Sequence, residues 1–338
     1  MDSLALAYSR LVPELMEVAE ERYRILRHIA HAEPIGRRLL ATQLNLTERV
    51  TRSHVDHMRD TGLLAVTGEG MVLTQLGKEF LPELTRSMNE LAQINVQQDF
   101  IKKALGIEDV IIISSRYGNA DLAELGYGAS REVMQVLQPD QTLVVTGGST
   151  MAKLAEMLPK KNLNTLVLPA RGGVGERVEY QSNVIASVIA SKLGGTYKML
   201  HFPDGLSKET IELLIDREPQ IKEVNQQTKR ADVLLFGIGQ AVVMAKKRNS
   251  SQEVCQQIEK AGGVGEALGC YCDINGHIVY EMTNIGLSLR TVSDIPHVFA
   301  MAGGAEKGAA IIGAMRACHK GTLIIDEAAA KAILSLLK

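Results

Sequence analysis

Tryptophan is absent from this 338-residue chain, and cysteine, proline and aromatic residues are scarce. The four cysteines are too few and too widely spread for the disulfide framework of a small secreted protein. Cys270 and Cys272 are separated by one residue and lack a matching second pair, which argues against a zinc site. We therefore expect four reduced thiols, no bound metal and a cytoplasmic location.

A long apolar run is also missing, and so is an excess of charge of either sign. The longest uncharged apolar stretch, from Ile295 to Ala305, is far shorter than the ~20 residues needed to cross a bilayer. Asp2 stands where a secretory signal would carry positive charge. The formal net charge is −2, so any nucleic-acid surface must be local. We expect no membrane partner.

The pattern of the sequence changes near residue 106. Before this point apolar residues recur at helical spacing, and after it short β-rich runs alternate with helical segments. Such alternation is typical of an α/β domain with a Rossmann-like parallel sheet. A chain of this length is also longer than one average domain. We predict an N-terminal domain in residues 1–74, a linker helix in 75–106 and an α/β effector domain in 107–338.

Residues 1–74 have the order of elements found in a winged helix-turn-helix. A first helix ends before Pro34, a short second helix follows, and Thr47 provides an N-cap for a third. Two strand-like runs, Leu63–Val66 and Met71–Leu73, surround a glycine-rich turn, which predicts a β-hairpin. This order predicts a domain whose third helix enters the major groove of DNA.

Charge placement favours binding of double-stranded operator DNA over a small helical domain without a nucleic-acid partner. All lysine and arginine charges in residues 1–74 are on arginine, which suits bidentate contacts to phosphate and guanine. On the third helix we expect Val50, Val55 and Met58 to face inward and the arginines to face outward. The predicted DNA-contacting residues are Arg37, Arg38, Thr47, Arg49, Thr51, Arg52 and Ser53.

The segment 75–106 has helical spacing and is interrupted only by Pro82. Leu84, Met88 and Leu91 lie on one stripe of this helix. Two interpretations remain open: the helix packs on its own domain, or it pairs with a second copy, because operator half-sites need a two-fold partner. The expected assembly is a homo-oligomer, either a dimer or a tetramer.

In the α/β segment, four strand-like runs end in turns that are rich in glycine. The carboxyl ends of parallel strands meet at one edge of a sheet, where ligands bind. Glycine lets the backbone approach an anion closely, and the free amides at a helix start favour phosphate. The four turns contribute the candidate site residues Gly147, Gly148, Ser149, Thr150, Arg171, Gly172, Gly173, Gly237 and Lys307.

The chemistry of these turns fits a phosphorylated metabolite better than a nucleotide. Ser149 and Thr150 add hydroxyl donors, and Arg171 and Lys307 add positive charge. No turn has the phosphate-loop pattern of nucleotide hydrolases or the three glycines of a dinucleotide-binding turn. We therefore predict a sugar-phosphate effector and no cofactor.

A sugar-phosphate isomerase would need a general base, usually a carboxylate with a histidine nearby. Asp204, Glu266 and Asp326 are the candidate carboxylates, and none has such a partner in a recognisable arrangement. His201 lies near Asp204, but its strand-like surroundings favour a structural role. We predict no catalytic residue. Two alternatives stay open: a sugar-phosphate isomerase with an appended DNA-binding domain, and a DNA-binding protein whose α/β domain is only structural.

Several longer motifs resemble those of the SorC/DeoR-type sugar-binding transcriptional regulators. The segments MAGGAEKGAAI (301–311) and TLIIDE (322–327) resemble the closing motif of that family, and GEALGCYCD (265–273) resembles a second one. The segments EPIGRR (33–38), VTGG (145–148) and PARGG (169–173) are similar to the branch that controls glycolytic genes in Gram-positive bacteria. The resemblance covers nearly the whole chain.

The resemblance implies a repressor of a glycolytic operon that reads its operator with the N-terminal domain. The implied effector is a glycolytic sugar phosphate, with fructose 1,6-bisphosphate as the leading candidate. The effector domain would be related in fold to phosphosugar isomerases, without their catalysis. Ser149 stands where threonine is common, and Cys270-Tyr271-Cys272 departs from the usual bulkier aromatic run. By position, the resemblance assigns the site to Ser149, Thr150, Arg171, Gln181, Arg248, Glu266 and Lys307.

Overall fold

The computed structural model describes residues 13–91, 94–113, 122–171, 177–200, 206–283 and 285–337. The chain divides into two compact units, Met1–Val96 and Gln97–Lys338. Of the helices in the described ranges, none combines the length and the apolar character that a membrane span requires.

The first unit begins with helices and continues into a β-hairpin. Helix α1 spans Pro13–Ala32, α2 spans Arg37–Gln43 and α3 spans Glu48–Asp60. Strands β1 (Leu64–Val66) and β2 (Met71–Leu73) form an antiparallel pair. This order confirms the predicted winged helix-turn-helix.

One apolar core holds α1, α2, α3 and the hairpin together. Ile25 and Ile29 on α1 are fully buried and lie one helical turn apart, so they face the same side of the helix. Burial of this stripe fixes α1 against the other elements of the unit. The core comprises Ile25, Leu26, Ile29, Ile35, Leu40, Leu44, Val55, Met58, Leu64, Met71 and Leu73.

The inner face of α3 differs from the predicted one. Thr47 caps the helix as expected, since its side chain accepts a hydrogen bond from the amide of Val50 at 3.3 Å. Val50 itself is 36% exposed, so its predicted inward position is wrong. The helical period instead places Thr51, His54, Val55 and Met58 on the buried face, at spacings of three, four and seven residues.

The burial of Thr51 also corrects one predicted DNA contact. Its side chain is fully buried, and Oγ1 donates to the carbonyl oxygen of Thr47 at 3.0 Å. A hydroxyl in this position cannot reach a nucleic acid outside the unit. The prediction of Thr51 as a DNA-contacting residue is therefore wrong.

Two helices occupy most of the predicted linker. Helix α4 spans Gln75–Leu91 and α5 spans Ile94–Leu105, while residues 92 and 93 lie outside the described ranges. Pro82 lies inside α4, and the helix continues past it. Pairing of this segment with a second copy stays a prediction.

The second unit contains two sheets. In chain order, its strands are β3 (Asp109–Ile113), β4 (Thr142–Val145), β5 (Leu166–Pro169), β6 (Thr196–Tyr197), β7 (Val233–Gly237), β8 (Gly239–Gln240), β9 (Gly265–Ala267), β10 (Cys270–Cys272), β11 (Ile278–Glu281), β12 (His297–Ala302) and β13 (Thr322–Asp326). Among the described residues, the larger sheet has seven strands in the order β3-β13-β12-β7-β4-β5-β6, all parallel. The smaller sheet has the order β11-β10-β9-β8 and is antiparallel.

Helices cover the parallel sheet and confirm the predicted α/β class. The central strands are continuous apolar runs, as in Leu143–Val145 and Val233–Phe236, whose side chains are fully buried. The helices are α6 (Leu122–Val136), α7 (Ser149–Met157), α8 (Ser182–Lys192), α9 (Lys208–Arg217), α10 (Pro219–Lys229), α11 (Ala241–Lys247), α12 (Gln252–Lys260), α13 (Gly308–Cys318) and α14 (Glu327–Leu337).

The antiparallel sheet carries the cysteine-rich strand β10. All four cysteines of the chain are free thiols, as predicted. Burial raises the pKa of Cys270 to about 11 and that of Cys272 to about 12. Strand β9 pairs with β8 so that Glu266 is opposite Gly239, which places Glu266 beside the turn that follows β7.

Candidate functional site

A cavity of about 550 Å³ opens beyond the carboxyl ends of β4 and β7. This volume is within the usual range for small-molecule sites. Of the predicted residues, Gly172 and Gly173 lie outside the described ranges. The structure brings the others together around the cavity: Gly147, Gly148, Ser149, Thr150, Arg171, Gln181, Gly237, Arg248, Glu266 and Lys307.

The turn after β4 forms one part of the cavity wall. Gly148 has a φ of +115° and is the N-cap of α7. A Cβ atom on Gly147 would lie 2.6 Å from the carbonyl oxygen of Tyr180, so a larger residue would displace that backbone. Ser149 and Thr150 are the first residues of α7 and line the cavity, and the first-turn amides of a helix point out of its start. This arrangement is suited to a phosphate group.

Lys307 enters the cavity wall from a turn that Asp326 holds in place. One carboxylate oxygen of Asp326 accepts from the amide of Gly304 at 2.9 Å, and the other accepts from the amide of Ala329 at 2.7 Å. Asp326 is almost completely buried. Its carboxylate therefore has a structural role between β13 and the turn that precedes Lys307.

The cavity changes the acid–base behaviour of Lys307. Burial lowers the pKa of its ammonium group, and the positive charge of Lys247 lowers it further. The carboxylates of Glu306 and Asp326 oppose this shift without cancelling it. A bound phosphate dianion would favour the protonated ammonium.

Glu266 holds two guanidinium groups at another part of the wall. Its Oε1 accepts from Nη1 of Arg248 at 2.8 Å and from the amide of Gly269 at 2.7 Å. Nη1 of Arg171 lies 3.8 Å from the same oxygen. Because Glu266 is buried on β9, it fixes the guanidinium groups where they border the cavity.

The charge of the cavity is strongly positive. Arg171, Arg177, Lys247, Arg248 and Lys307 line it together with a single carboxylate, that of Glu266, which gives a formal charge of +4 over the described lining. Low-dielectric walls strengthen the attraction of such a cluster for anions. The cavity therefore suits a ligand that carries several negative charges.

Part of this cavity wall was not predicted from the sequence. Val243, Met244 and Lys247 line the cavity from α11, and Gln240, the N-cap of that helix, precedes them by three, four and seven residues. That spacing is visible in the sequence, but the same stripe is expected of any helix that faces a core. Arg177 and Tyr180 come after Gly172 and Gly173 in the sequence and carry no recognisable pattern of their own.

The described lining of the cavity has no histidine–carboxylate pair of the kind that general acid–base catalysis often uses. No histidine is among its described lining residues, and Glu266 is engaged by Arg248 and a backbone amide. His201 and Asp204 lie outside the described ranges. Within those ranges, no group of three or more His, Cys, Asp or Glu side chains could hold a metal ion.

The first unit presents the predicted cationic face of α3. Arg49, Arg52 and Ser53 are exposed, on the side away from the buried Val55 and Met58. The remaining predicted residues are also accessible, except Thr51: Arg37 is half-buried, and Arg38 and Thr47 are exposed.

Arg38 is the predicted contact with an ion-pair partner on the neighbouring helix. Its Nε lies 3.3 Å from Oε1 of Glu48, and both side chains are largely exposed. An exposed pair of this kind contributes little free energy. Phosphate can therefore replace Glu48 as the partner of Arg38 at small cost.

Both units match known protein families. Residues 18–88 match the family described as the CggR N-terminal DNA binding domain. Residues 90–335 match a family of sugar-binding domains. The chain is 36% identical to a central glycolytic genes regulator of Priestia megaterium and 35% identical to one of Bacillus subtilis, with 99% of each chain covered in both cases.

Solved structures agree with these matches. A SorC family transcriptional regulator from Enterococcus faecalis is 34% identical, with a TM-score of 0.64 over 70% of this chain and 99% of that one. The full-length sorbitol operon regulator from Klebsiella pneumoniae is 19% identical, with a TM-score of 0.64 over 90% of this chain and 94% of that one. The second likeness concerns the fold alone.

Proposed function

The chain belongs to the family of central glycolytic genes regulators, which are sugar-binding transcriptional regulators of the SorC type, and we propose that it represses a glycolytic operon. Its general activity, sugar-responsive regulation of transcription, follows from the family. In the proposal, a glycolytic sugar phosphate binds the cavity and relieves operator binding. The leading effector is fructose 1,6-bisphosphate.

The single observation that best supports this choice of effector is the net positive charge of the cavity. Five cationic side chains and one carboxylate leave a formal charge of +4, beside the free helix end of α7. Each phosphate monoester carries about −1.5 to −2 charges at neutral pH, so a bisphosphate carries about −3 to −4. A bisphosphorylated sugar neutralises the cavity, whereas a monophosphate leaves about half of the charge.

Regulation follows from linkage between the two ligands. An effector that weakens DNA binding must bind the DNA-free or less associated state more tightly. A coupling of about 1–3 kcal/mol would change operator affinity roughly 5- to 150-fold. We propose that the active species is a homo-oligomer, since a two-fold partner lets two winged domains read two half-sites.

The proposal includes no enzymatic step and no cofactor. Among the described residues, the cavity has no histidine to pair with a carboxylate, and its only carboxylate is hydrogen-bonded to Arg248. A sensor has to bind its effector without transforming it, and the cationic groups of the cavity can provide that binding. Turnover of a hexose phosphate by the purified chain would contradict this part of the proposal.

A gel shift tests the proposal directly. The full chain is bound to DNA from upstream of a glycolytic operon and titrated with fructose 1,6-bisphosphate, fructose 6-phosphate and unphosphorylated fructose. We expect a specific complex that the bisphosphate dissociates at the lowest concentration. A complex that none of the three sugars dissociates would favour the alternative in which the α/β domain is only structural.

A further inference from the structure

One carboxylate lies among the exposed arginines of α2 and α3. Glu48 is the first residue of α3, and its side chain is 61% exposed. Arg49 follows it, Arg52 lies about one turn further along α3, and Arg38 on α2 is its ion-pair partner. All three arginines are exposed. The phosphates of DNA would repel a carboxylate at this position, so it costs operator affinity unless a donor on the DNA pairs with it.

The partner of Glu48 in the chain itself is easily given up. Nε of Arg38 lies 3.3 Å from Oε1 of Glu48, and an exposed ion pair of this kind contributes little free energy. The other acids of α3, Asp56 and Asp60, both pair with Arg59 of the same helix, at 3.1 and 3.2 Å. Glu48 is therefore the acid of α3 whose printed partner is a predicted phosphate contact on another helix. Binding of Arg38 to phosphate leaves the Glu48 carboxylate available as an acceptor.

The position of Glu48 on α3 suits contact with a base. In a helix-turn-helix, residues near the start of the recognition helix contact base edges in the major groove. Thr47 caps α3 directly before Glu48, and Val55 and Met58 anchor the helix in the core of the unit. The backbone at Glu48 is thus fixed. The carboxylate can leave Arg38 by rotation of its side chain alone.

The chemistry of a carboxylate selects among the four bases. An ionised carboxylate only accepts hydrogen bonds. In the major groove, cytosine presents an amino donor at N4, whereas guanine and thymine present acceptors. Adenine presents a donor at N6 beside an acceptor at N7, and that acceptor repels a carboxylate. A carboxylate near the base edges therefore favours cytosine over the other three bases.

We infer that Glu48 is a specificity-determining residue, which accepts a hydrogen bond from N4 of an operator cytosine when Arg38 transfers to a DNA phosphate. The inference rests on the proposed function, because it concerns the operator complex. The phosphate contact of Arg38 positions the unit on any sequence, and the base contact of Glu48 selects the sequence. The negative charge of Glu48 also stabilises the start of α3, but that effect is the same for every DNA sequence. A profile of base preference therefore separates the two effects.

Base-preference profiles of Glu48→Ala and Glu48→Gln test the inference. The full chain is bound to labelled DNA from upstream of a glycolytic operon, and duplexes with each single base-pair substitution of the bound site compete for it. We expect the wild type to lose affinity about 5- to 150-fold when the cytosine at one position of each half-site is replaced. Glu48→Ala should lose this discrimination at that position alone. Glu48→Gln should shift the preference to adenine, since an amide pairs with both N6 and N7.

Glu83→Gln is the matched control, because it removes the same charge from an exposed position on α4. This control should keep the profile of the wild type. Glu48→Ala should also bind DNA of unrelated sequence more tightly than the wild type, since a repulsive charge is lost. If Glu48→Ala weakened binding to every duplex by the same factor, the base contact would be wrong and the role of Glu48 would be confined to the helix.

The exchange of partners is tested with Arg38→Ala. Loss of a phosphate contact should weaken binding to all duplexes about equally and reduce the slope of log affinity against log salt concentration by about 1. The preference for cytosine should persist in this variant. Its disappearance would overturn the exchange, because Glu48 would then act on the DNA through Arg38. A wild-type chain that forms no specific complex would instead reject the proposed function.

Discussion

Nη1 of Arg248 lies 2.8 Å from Oε1 of Glu266, inside a cavity wall that is otherwise cationic. The same oxygen is 3.8 Å from Arg171. The carboxylate therefore reduces the repulsion between two guanidinium groups that both border the cavity. Without it, two like charges would remain close together and partly buried.

Replacing Glu266 by Gln should destabilise the effector unit. Removal of one partner from a buried ion pair costs about 3 kcal/mol or more in the free energy of unfolding, because the remaining charge is uncompensated. Urea denaturation of the full chain measures the loss. Fructose 1,6-bisphosphate should restore more stability to this variant than to the wild type, since phosphate can replace the missing negative charge. An unchanged unfolding midpoint would contradict the role assigned to Glu266.

Arg52→Ala and Arg171→Ala should separate the two activities. Arg52 is exposed on α3, and Arg171 lines the cavity. We expect Arg52→Ala to weaken operator binding about tenfold or more and to leave the affinity for fructose 1,6-bisphosphate intact. Arg171→Ala should do the reverse. Fluorescence anisotropy with labelled DNA and calorimetry with the sugar measure both. Loss of both activities in a folded variant would refute the division of roles.

The same substitution at two positions of α3 should have different effects. Val55 is 2% exposed and lies in the core of the first unit, whereas Val50 is 36% exposed. Val55→Ala should lower the free energy of unfolding by about 2 kcal/mol, from lost burial and a small cavity. Val50→Ala should change it by less than about 0.5 kcal/mol. Similar losses in urea denaturation would show that the buried face of α3 is assigned wrongly.

The affinity for the effector should decrease at alkaline pH. The pKa of Lys307 is lowered from its ordinary value of 10.5, and a phosphate dianion binds the ammonium form more tightly than the amine. Effector binding should therefore raise this pKa and take up a proton, and affinity should fall as pH rises through the lowered pKa. Calorimetry from neutral pH to the ordinary lysine value measures the trend. In Lys307→Met the fall should be much smaller; an identical fall would assign it to another group.

Three of the four cysteines should resist alkylation in the folded protein. Burial raises the pKa of Cys318 to about 11, as it raises those of Cys270 and Cys272 to about 11 and 12, and only a thiolate reacts. Cys255 is half-buried. With iodoacetamide at mildly alkaline pH, mass spectrometry should find label mainly on Cys255, and on all four after denaturation. Rapid labelling of Cys272 in the native state would contradict its buried position in β10.

The elements of the fold that depend on interactions between residues close in sequence could be predicted from the sequence. Thr47 could be predicted as an N-cap because its hydroxyl accepts a hydrogen bond from an amide only three residues along the chain. The turns at Gly147 and Gly237 could be predicted to border one cavity, because the carboxyl ends of parallel strands lie at the same edge of the sheet. These inferences require no knowledge of distant contacts.

The residues that were misjudged or missed depend on packing between distant segments. Val50 has the spacing of a core residue. The core formed with α1 and the hairpin instead packs against the neighbouring face of α3, which carries Thr51 and Val55. Lys247 borders the cavity because α11 packs on the antiparallel sheet, whose strands β9, β10 and β11 follow only after α12 in the sequence. Helical periodicity identifies which residues share one face of a helix. The tertiary contacts decide whether that face packs against the core, borders the cavity or is exposed to solvent.

The positive charge of the cavity has a consequence for how its affinity is measured. A pocket with a formal charge of +4 should attract anions from the medium, and the proposed sugar phosphate would enter by displacing them. Phosphate or sulfate buffers would compete for the same groups and lower the apparent affinity in proportion to their own occupancy. In a cell, the sensor would therefore report the ratio of its effector to inorganic phosphate rather than the effector concentration alone.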